Sequence, residues 1–501
     1  MNGTTTVVAV GVVTAASTLA MLRPRTGPPS STATGTDLEQ WALAGRSHGP
    51  LMLWCVLGGT IYTAYTFLAV PGVVFSSGGI GLYALVYTTI VYPLVLVVLP
   101  RLAETARRHG YVSAVDFIRG TYRSPGLALA VALTGILATM PYIALQLIGI
   151  QAVLAVVGID PGGLVGDLAL TVVFAVLAAS TYRHGLSAPS AVAVLKAALV
   201  VGSAIVLVLL VSGRTDWADL WPAAESALRS RGLEATLNPE NAMAYGSLAL
   251  GSALALFAFP HVLMVTFSGR TKRVVAQTIP ALLGWTLVLG VFAVMGAAAI
   301  AIGVAPPPGR ADQAVALLIQ QVAPPWLAGG LLGSLVVAAL VPAAVMSIGA
   351  ATLFARNVYV EYLNPAATSE QEACVARSMS LLVKVGALAF ALGFHNTNAI
   401  QLHLLGAVWV LQTLPALLLG LLPAAPGRTA LLAGWLTGML GGTAMVTWGH
   451  FAPTVTVHFG DLHLTLFAGL LALAANLAVV GAVQAATRLL AKVPEQRRAL
   501  M

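Results

Sequence analysis

The amino-acid sequence predicts an all-α polytopic membrane protein with about thirteen transmembrane helices. Three observations predict it. Apolar residues make up 58% of the 501-residue chain and charged residues only 8%, whereas a soluble chain carries about a quarter of its residues as charges. Apolar runs of about 20 residues, each long enough to cross the hydrocarbon, recur from end to end. In lipid such runs must satisfy their own backbone hydrogen bonds, which makes them helices. The basic residues, finally, fall almost wholly on one side of the resulting topology.

The expected spans lie at 4–22, 51–75, 79–100, 126–157, 163–182, 188–212, 243–268, 274–303, 327–355, 378–394, 399–422, 428–448 and 464–487. The first has no basic leader, and Arg23 and Arg25 follow it, so it reads as a helix with its N-terminus outside rather than as a signal peptide. The segment 26–36, GPPSSTATGTD, reads as a flexible inner linker. Gly58-Gly59 interrupts the second span, whose apolar core ends at Pro71-Gly72. Pro141 lies in the fourth, Pro260 late in the seventh and Pro342 in the ninth. Each proline removes one backbone bond and frees a carbonyl that needs another partner. Close helix packing accounts for small residues taken singly. Breaks in the second and seventh spans, five helices apart, point instead to two inverted five-helix repeats with a site between them. Longer outer loops follow at 213–242 and 304–326, and 488–501 forms an inner tail.

Charge tests this arrangement. Nineteen Lys and Arg residues fall on inner segments and only Arg214, Arg229, Arg231 and Arg310 on outer ones, with Lys196 and Lys384 left inside spans. Adding or removing one span would scramble that bias. The net charge of +8 is therefore a topology signal of a multi-pass cell-membrane protein with its C-terminus in the cytoplasm, and no nucleic-acid partner is expected. Lys384, two turns from Arg377, reads as snorkelling to the inner surface.

Cys55 and Cys374 are far apart and give neither a disulfide framework nor a metal spacing. His450, His458 and His463 gather near one outer loop but lack a complete ligand set, so they read as a solvated loop. There is no HExxH, GxSxG, P-loop or pair of intramembrane aspartates. The chain is expected to carry a small solute rather than to be an enzyme, without a cofactor. A sensor acting with a separate cytoplasmic partner, and a passive channel, are the alternatives.

Four segments carry a family resemblance. WALAGRSHGPLMLWCVLGGTIYTAYTFLAVPGVVFSSGGIGLYAL resembles the opening of the solute:sodium symporter family, with its FLAGRS-like start, polar unwound helix and PG. SAVDFIRGTYRSPGL looks like that family's cytoplasmic DF+xxRY loop. GSALALFAFPHVLMVTFSGRTKR looks like its sixth core helix with the PH pair, and AALVPAAVMSIGAATLFARNVY like its eighth. The match runs over roughly residues 40–420. TMPYIALQLIGIQAVL and GLSAPSAVAVLKAALV look most like the monocarboxylate permease branch. The resemblance implies a LeuT-type fold: an extra helix at 1–22, repeats at 51–212 and 243–422, two extra helices within 428–487, and alternating access around a midplane site. It leaves open a separate small membrane subunit and, as an alternative, sodium symport of another solute such as an amino acid.

The resemblance also implies a sodium site between core helices one and eight. Carried over, its carbonyl ligands are Gly59, Tyr62 and Ala344, and its hydroxyl ligand is Ser347. Free carbonyls at helix breaks suit a hard cation. Ile348 stands where a second hydroxyl is usual, so one ligand is missing. Core helix five has Ala193 and Lys196 where the family places an acidic residue and a glutamine. An intramembrane lysine is a functional hypothesis by default, and a desolvated lysine can gain and lose a proton. Lys196 is therefore expected to replace sodium as a proton-coupling group, or else to pair with the substrate carboxylate. The coupling ion is sodium or a proton.

For a small monocarboxylate the candidate pocket residues are Thr63, Tyr65, Gln146, Ser252, Leu256 and Gln412. Half-helix N-termini can hold the carboxylate without an arginine. His403 reads as an interface histidine near the outer end of core helix ten, and Tyr83, Tyr87 and Tyr92 as packing residues.

Overall fold

A computed structural model describes residues 2–22, 36–234, 237, 241–393, 399–460 and 462–498. Most of the linker expected at 26–36, with Arg23 and Arg25, lies outside the described residues.

Helix α1 spans Asn2–Leu22, and a short helix α2, Asp37–Leu43, leads into the first broken helix. That helix runs as α3, Pro50–Ile61, stops at Tyr62 and Thr63, and resumes as a π-helical turn, Tyr65–Ala69, and α4, Val70–Ser77. Tyr62 is extended, with φ −94° and ψ 105°. The interruption thus falls three residues beyond the expected Gly58-Gly59. Gly58 serves packing instead: a Cβ there would meet Trp285 Nε1 at 2.0 Å. Pro71 continues the helix in the first turn of α4.

Next come α5, Tyr83–Ile90; α6, Tyr92–His109; α7, Ala114–Tyr122; α8, Pro125–Val156; α9, Leu164–His184; and α10, Ser187–Ser212. The outer loop expected at 213–242 contains α11, Trp217–Ser230.

The second broken helix is α12, Ala242–Ala258, followed by α13, Pro260–Phe267, bent by 48°. Here the sequence dictates the break. The residue before a proline is driven out of the helical region, and Phe259 sits at φ −61° and ψ 131°. Beyond it lie α14, Lys272–Ala281, and α15, Leu283–Ala301. The loop expected at 304–326 folds back as a buried helix, α16, Ala314–Val322.

Helix α17, Pro325–Phe354, is the axis of the molecule: every residue from Leu331 to Leu353 is buried. A helix apolar all round has no lipid or water face to present. Pro141 and Pro342 leave α8 and α17 unbroken. Helix α1 lies against α17 through small residues, since a Cβ on Gly329 would meet Ala9 at 2.5 Å and one on Gly333 would meet Val13 at 2.8 Å.

The chain closes with α18, Ser369–Gly393; α19, Ala399–Val410; α20, Leu414–Leu419; α21, Arg428–Trp448; and α22, Ala468–Arg498. Before α22 an antiparallel hairpin pairs β1, Thr454–Phe459, with β2, Leu462–Phe467. It displaces the start of the last expected span from 464 to 468. His458 faces His463 across the hairpin, their Nδ1 atoms 2.5 Å apart.

Helix underlies each of the thirteen expected segments. By length and apolar composition nine helices among the described residues can cross a membrane, ten with the bent pair counted as one span. The others are interrupted, shorter or more polar.

One junction pins α7 to the end of α17. Asp116 accepts hydrogen bonds from the Val112 and Ser113 backbone and, at 2.9 Å, from the Asn357 amide. Arg356 stands 3.7 Å from Asp116 and 3.2 Å from Glu372. Burial pushes the Glu372 carboxyl upward, with Arg356 opposing it.

Candidate cation and substrate site

The last four carbonyls of a helix have no intrahelical donor, so ending α3 at Ile61 frees the carbonyls of Gly59 and Tyr62. Pro342 does the same inside α17. It has no N–H, and the carbonyl four residues earlier, at Ala338, loses its helical partner. These three carbonyls converge on one buried group. The Lys196 ammonium on α10 donates to Gly59 O at 2.5 Å, Tyr62 O at 2.9 Å and Ala338 O at 2.8 Å. An ammonium has three N–H donors, and all three are spent. Lys196 is fully buried. In this state no Lys196 donor is left free.

The third carbonyl around Lys196 is that of Ala338, and Ala344, expected as a sodium ligand, is not among its acceptors. Those two residues are separated by about 9 Å of helix rise. Ala344 O accepts a 2.7 Å bond from its own helix, from Ser347 Oγ. Ser347 in turn accepts from Ser380 Oγ at 3.4 Å, and Ser380 Oγ accepts from the Lys384 ammonium at 2.7 Å. Lys384 is buried at 1% exposure. The snorkelling reading of Lys384 is corrected: it turns inward along α18 toward Ser347. Ile348 is buried beside them and offers no ligand atom. Gly59 and Tyr62 hold one ammonium, while Ser347 lies two hydrogen bonds from another and Ala344 three.

The break in the first broken helix is clamped from α8. Gln146 Oε1 accepts the Ala64 N–H at 3.1 Å, while its amide donates to Thr63 Oγ1 at 3.3 Å and to Tyr142 O at 3.1 Å. Thr63 and Gln146 are thereby brought together, both committed to the backbone of the break. Tyr65 hydrogen-bonds Tyr83 through their hydroxyls at 2.7 Å. Tyr62 stacks on Trp285 and shares Thr286 with Tyr92.

Leu256 lines a small cavity with Tyr62, Tyr92 and Val262. Ser252 is buried on the same helix. Gln412 is not with them. Its amide donates to Val408 O and Gly469 O, and its carbonyl accepts from Asn476 of α22. It ties core helix ten to the C-terminal helices.

Two histidines outside the expected pocket set pack among the aromatic residues next to the two breaks. His403 is 2% exposed, not interfacial. Its ring lies 4.4 Å from Tyr65 and 4.6 Å from Tyr142. His261, in the first turn of α13, faces Tyr142 at 5.6 Å and Phe259 at 5.4 Å. The PH pair in the sequence marked His261. Nothing local marks His403 as central, because its burial comes from the other broken helix.

A family model described as the sodium:solute symporter family matches residues 41–442. A monocarboxylate transport permease protein of Rhizobium johnstonii is 41% identical over 493 residues, covering 97% of each chain. A Bacillus subtilis protein described as the uncharacterized symporter YodF is 29% identical, covering 89% of this chain and 87% of its own. Among solved structures, a Na+-coupled sialic acid symporter in its substrate-bound outward-open state superposes with a TM-score of 0.77 at 14% identity, over 95% of this chain and 96% of the other. A nucleobase-cation-symport-1 family transporter in a closed conformation gives a TM-score of 0.54 at 13% identity, over 90% and 94%. These likenesses establish the LeuT-type fold, and the family match extends over most of the sequence. The chain belongs to the sodium:solute symporter family.

Proposed function

We propose that this multi-pass membrane symporter takes up a small monocarboxylate by alternating access, coupled to a cation whose place beside the helix break is taken by Lys196. The observation that carries the reading is the cage of Gly59, Tyr62 and Ala338 carbonyls around the Lys196 ammonium. A cage of free carbonyls suits one monovalent cation. Here that cation is covalently part of the chain, and a proton on it is the mobile charge. Loss of the proton removes the reason for three carbonyls to converge, which loosens α3 from α10 and α17 and links protonation to the movement of the broken helix. Lys384 adds a second buried positive charge near Ser347.

The monocarboxylate comes from the Rhizobium relative's description at 41% identity. Around the break, Tyr65, Tyr142 and Leu256 offer apolar surface for the short carbon end of such an acid. Sodium coupling is the second reading, and membership of a sodium symporter family favours it. In that case sodium occupies a rearranged site and Lys196 is a fixed counter-charge. Residues 51–212 and 243–422 form the two repeats, with extra helices at 1–22 and within 428–487, the N-terminus outside and the tail 488–501 cytoplasmic. No separate subunit is required by this reading.

Uptake of labelled acetate and pyruvate into proteoliposomes, under sodium and proton gradients imposed separately, tests it. Accumulation under the proton gradient alone is expected. Accumulation under sodium alone selects the second reading. Uptake of neither acid overturns the substrate class and brings the sensor reading forward.

A further inference from the structure

Two imidazoles are buried at the meeting point of the broken helices, each with a nitrogen that has no protein partner among the described residues. His261 is 1% exposed and His403 2% exposed, and the Nδ1 of each makes no hydrogen bond. A buried polar atom left unpaired is costly, and in a native fold it calls for an explanation. Here both orphans lie in one cluster. Tyr142 touches both rings, at 5.6 Å and 4.6 Å between centroids, and so does Phe259, at 5.4 Å and 6.0 Å. His261 stands one residue past the Phe259-Pro260 break, where α13 begins with the positive end of its backbone dipole. His403 stands against Tyr65, just beyond the other break.

We propose that His261 and His403 form the seat of the substrate carboxylate. This deepens, and rests on, the monocarboxylate reading above. A neutral imidazole donates one N–H, so two histidines supply one donor for each carboxylate oxygen. Lys196 is unavailable for the task because its three donors are spent on carbonyls. Gln146 is likewise committed to the backbone. The faces of Tyr65, Tyr142 and Phe259 around the seat take the short carbon end of the acid, so the pocket prefers small acids to long ones. Tyr142 and Phe259 now lie against both imidazoles, and the acid enters when α19 and α13 move apart.

The test uses the full chain in proteoliposomes. His403→Leu and His261→Leu are each expected to raise KM for lactate and pyruvate by about ten- to hundredfold, the loss of one hydrogen bond to a charged group. His403→Asn and His261→Asn, which keep an N–H near the same position, are expected to stay close to the unaltered protein. A second measurement needs no variant. In protein labelled with 15N-histidine, saturating lactate is expected to move two Nδ1 resonances, and the uncharged lactamide to move neither. Unmoved resonances in protein that binds lactate, an unchanged KM in both leucine variants, or equal losses in the leucine and asparagine variants each overturn the seat alone. If the unaltered protein neither binds nor takes up any short-chain acid, the monocarboxylate reading fails and takes the seat with it.

Discussion

The Lys196 ammonium donates a 2.8 Å hydrogen bond to the carbonyl of Ala338, four residues before Pro342. The proline explains the bond. It withdraws the N–H that would otherwise occupy that carbonyl, in the middle of the most deeply buried helix of the molecule. A carbonyl orphaned in hydrocarbon must find a donor, and a lysine on α10 provides it.

Replacing that proline tests whether the orphaned carbonyl matters. Pro342→Ala returns an N–H to the helix and relieves up to about 3 kcal/mol of interior-proline penalty, so the variant should fold. It also recaptures Ala338 O, leaving Lys196 with two acceptors. Concentrative uptake is expected to fall about tenfold, the worth of one hydrogen bond to a charged group, while substrate exchange across the membrane persists. An unchanged accumulation ratio in Pro342→Ala would show that Ala338 is not part of the coupling cage.

The Gln146 clamp predicts a structural cost. Gln146→Leu leaves the Ala64 N–H without its partner and takes one donor from the Thr63 hydroxyl, which keeps the Tyr65 N–H, a loss of about 1–3 kcal/mol for the buried amide alone. The midpoint of thermal unfolding in detergent should fall accordingly. A midpoint equal to that of the unaltered protein would mean that the break holds itself open.

Restoring sodium chemistry takes two changes. Ile348→Ser adds the missing hydroxyl beside Ser347, and Lys384→Met removes the buried positive charge that reaches Ser347 through Ser380. The double variant is expected to gain sodium-stimulated uptake, and Ile348→Ser alone to gain less. If neither responds to added sodium, Ala344 and Ser347 are not a dormant sodium site.

At the C-terminal end of α17, Asp116→Ala removes three hydrogen-bond acceptances and one of the two partners of Arg356. Charge-assisted bonds to a buried carboxylate are strong, so a loss of about 2–4 kcal/mol is expected, read as a lowered unfolding midpoint. A shift no larger than that of Arg108→Ala, an exposed ion pair with Glu104, would contradict it.

Much of this was legible in the sequence, and the reasons differ by residue. The helical spans follow from apolar runs that have only one way to satisfy their backbone in lipid. Gly59 and Tyr62 follow from the family resemblance, and Lys196 stands out as a lysine inside an apolar span. Ala338 could not, since its side chain says nothing and its role belongs to a proline four residues on. Lys384 was misread because distance from a helix end does not reveal which face the stem follows. The hairpin, by contrast, was written plainly: TVTVHF and LHLTLF alternate about Gly460-Asp461, a turn dipeptide between period-two strands. An expectation of helix hid it. Gln412 and His403 share a helix yet face different neighbours, and only the packing of the second broken helix and of α22 separates them.

The most direct test of the central claim is Lys196→Met, assayed in proteoliposomes for both substrate exchange and proton-driven accumulation. The methionine keeps the apolar stem and removes the ammonium from the Gly59, Tyr62 and Ala338 carbonyls. Exchange should survive and accumulation against a gradient should be abolished. Full proton-driven accumulation by Lys196→Met would contradict the account.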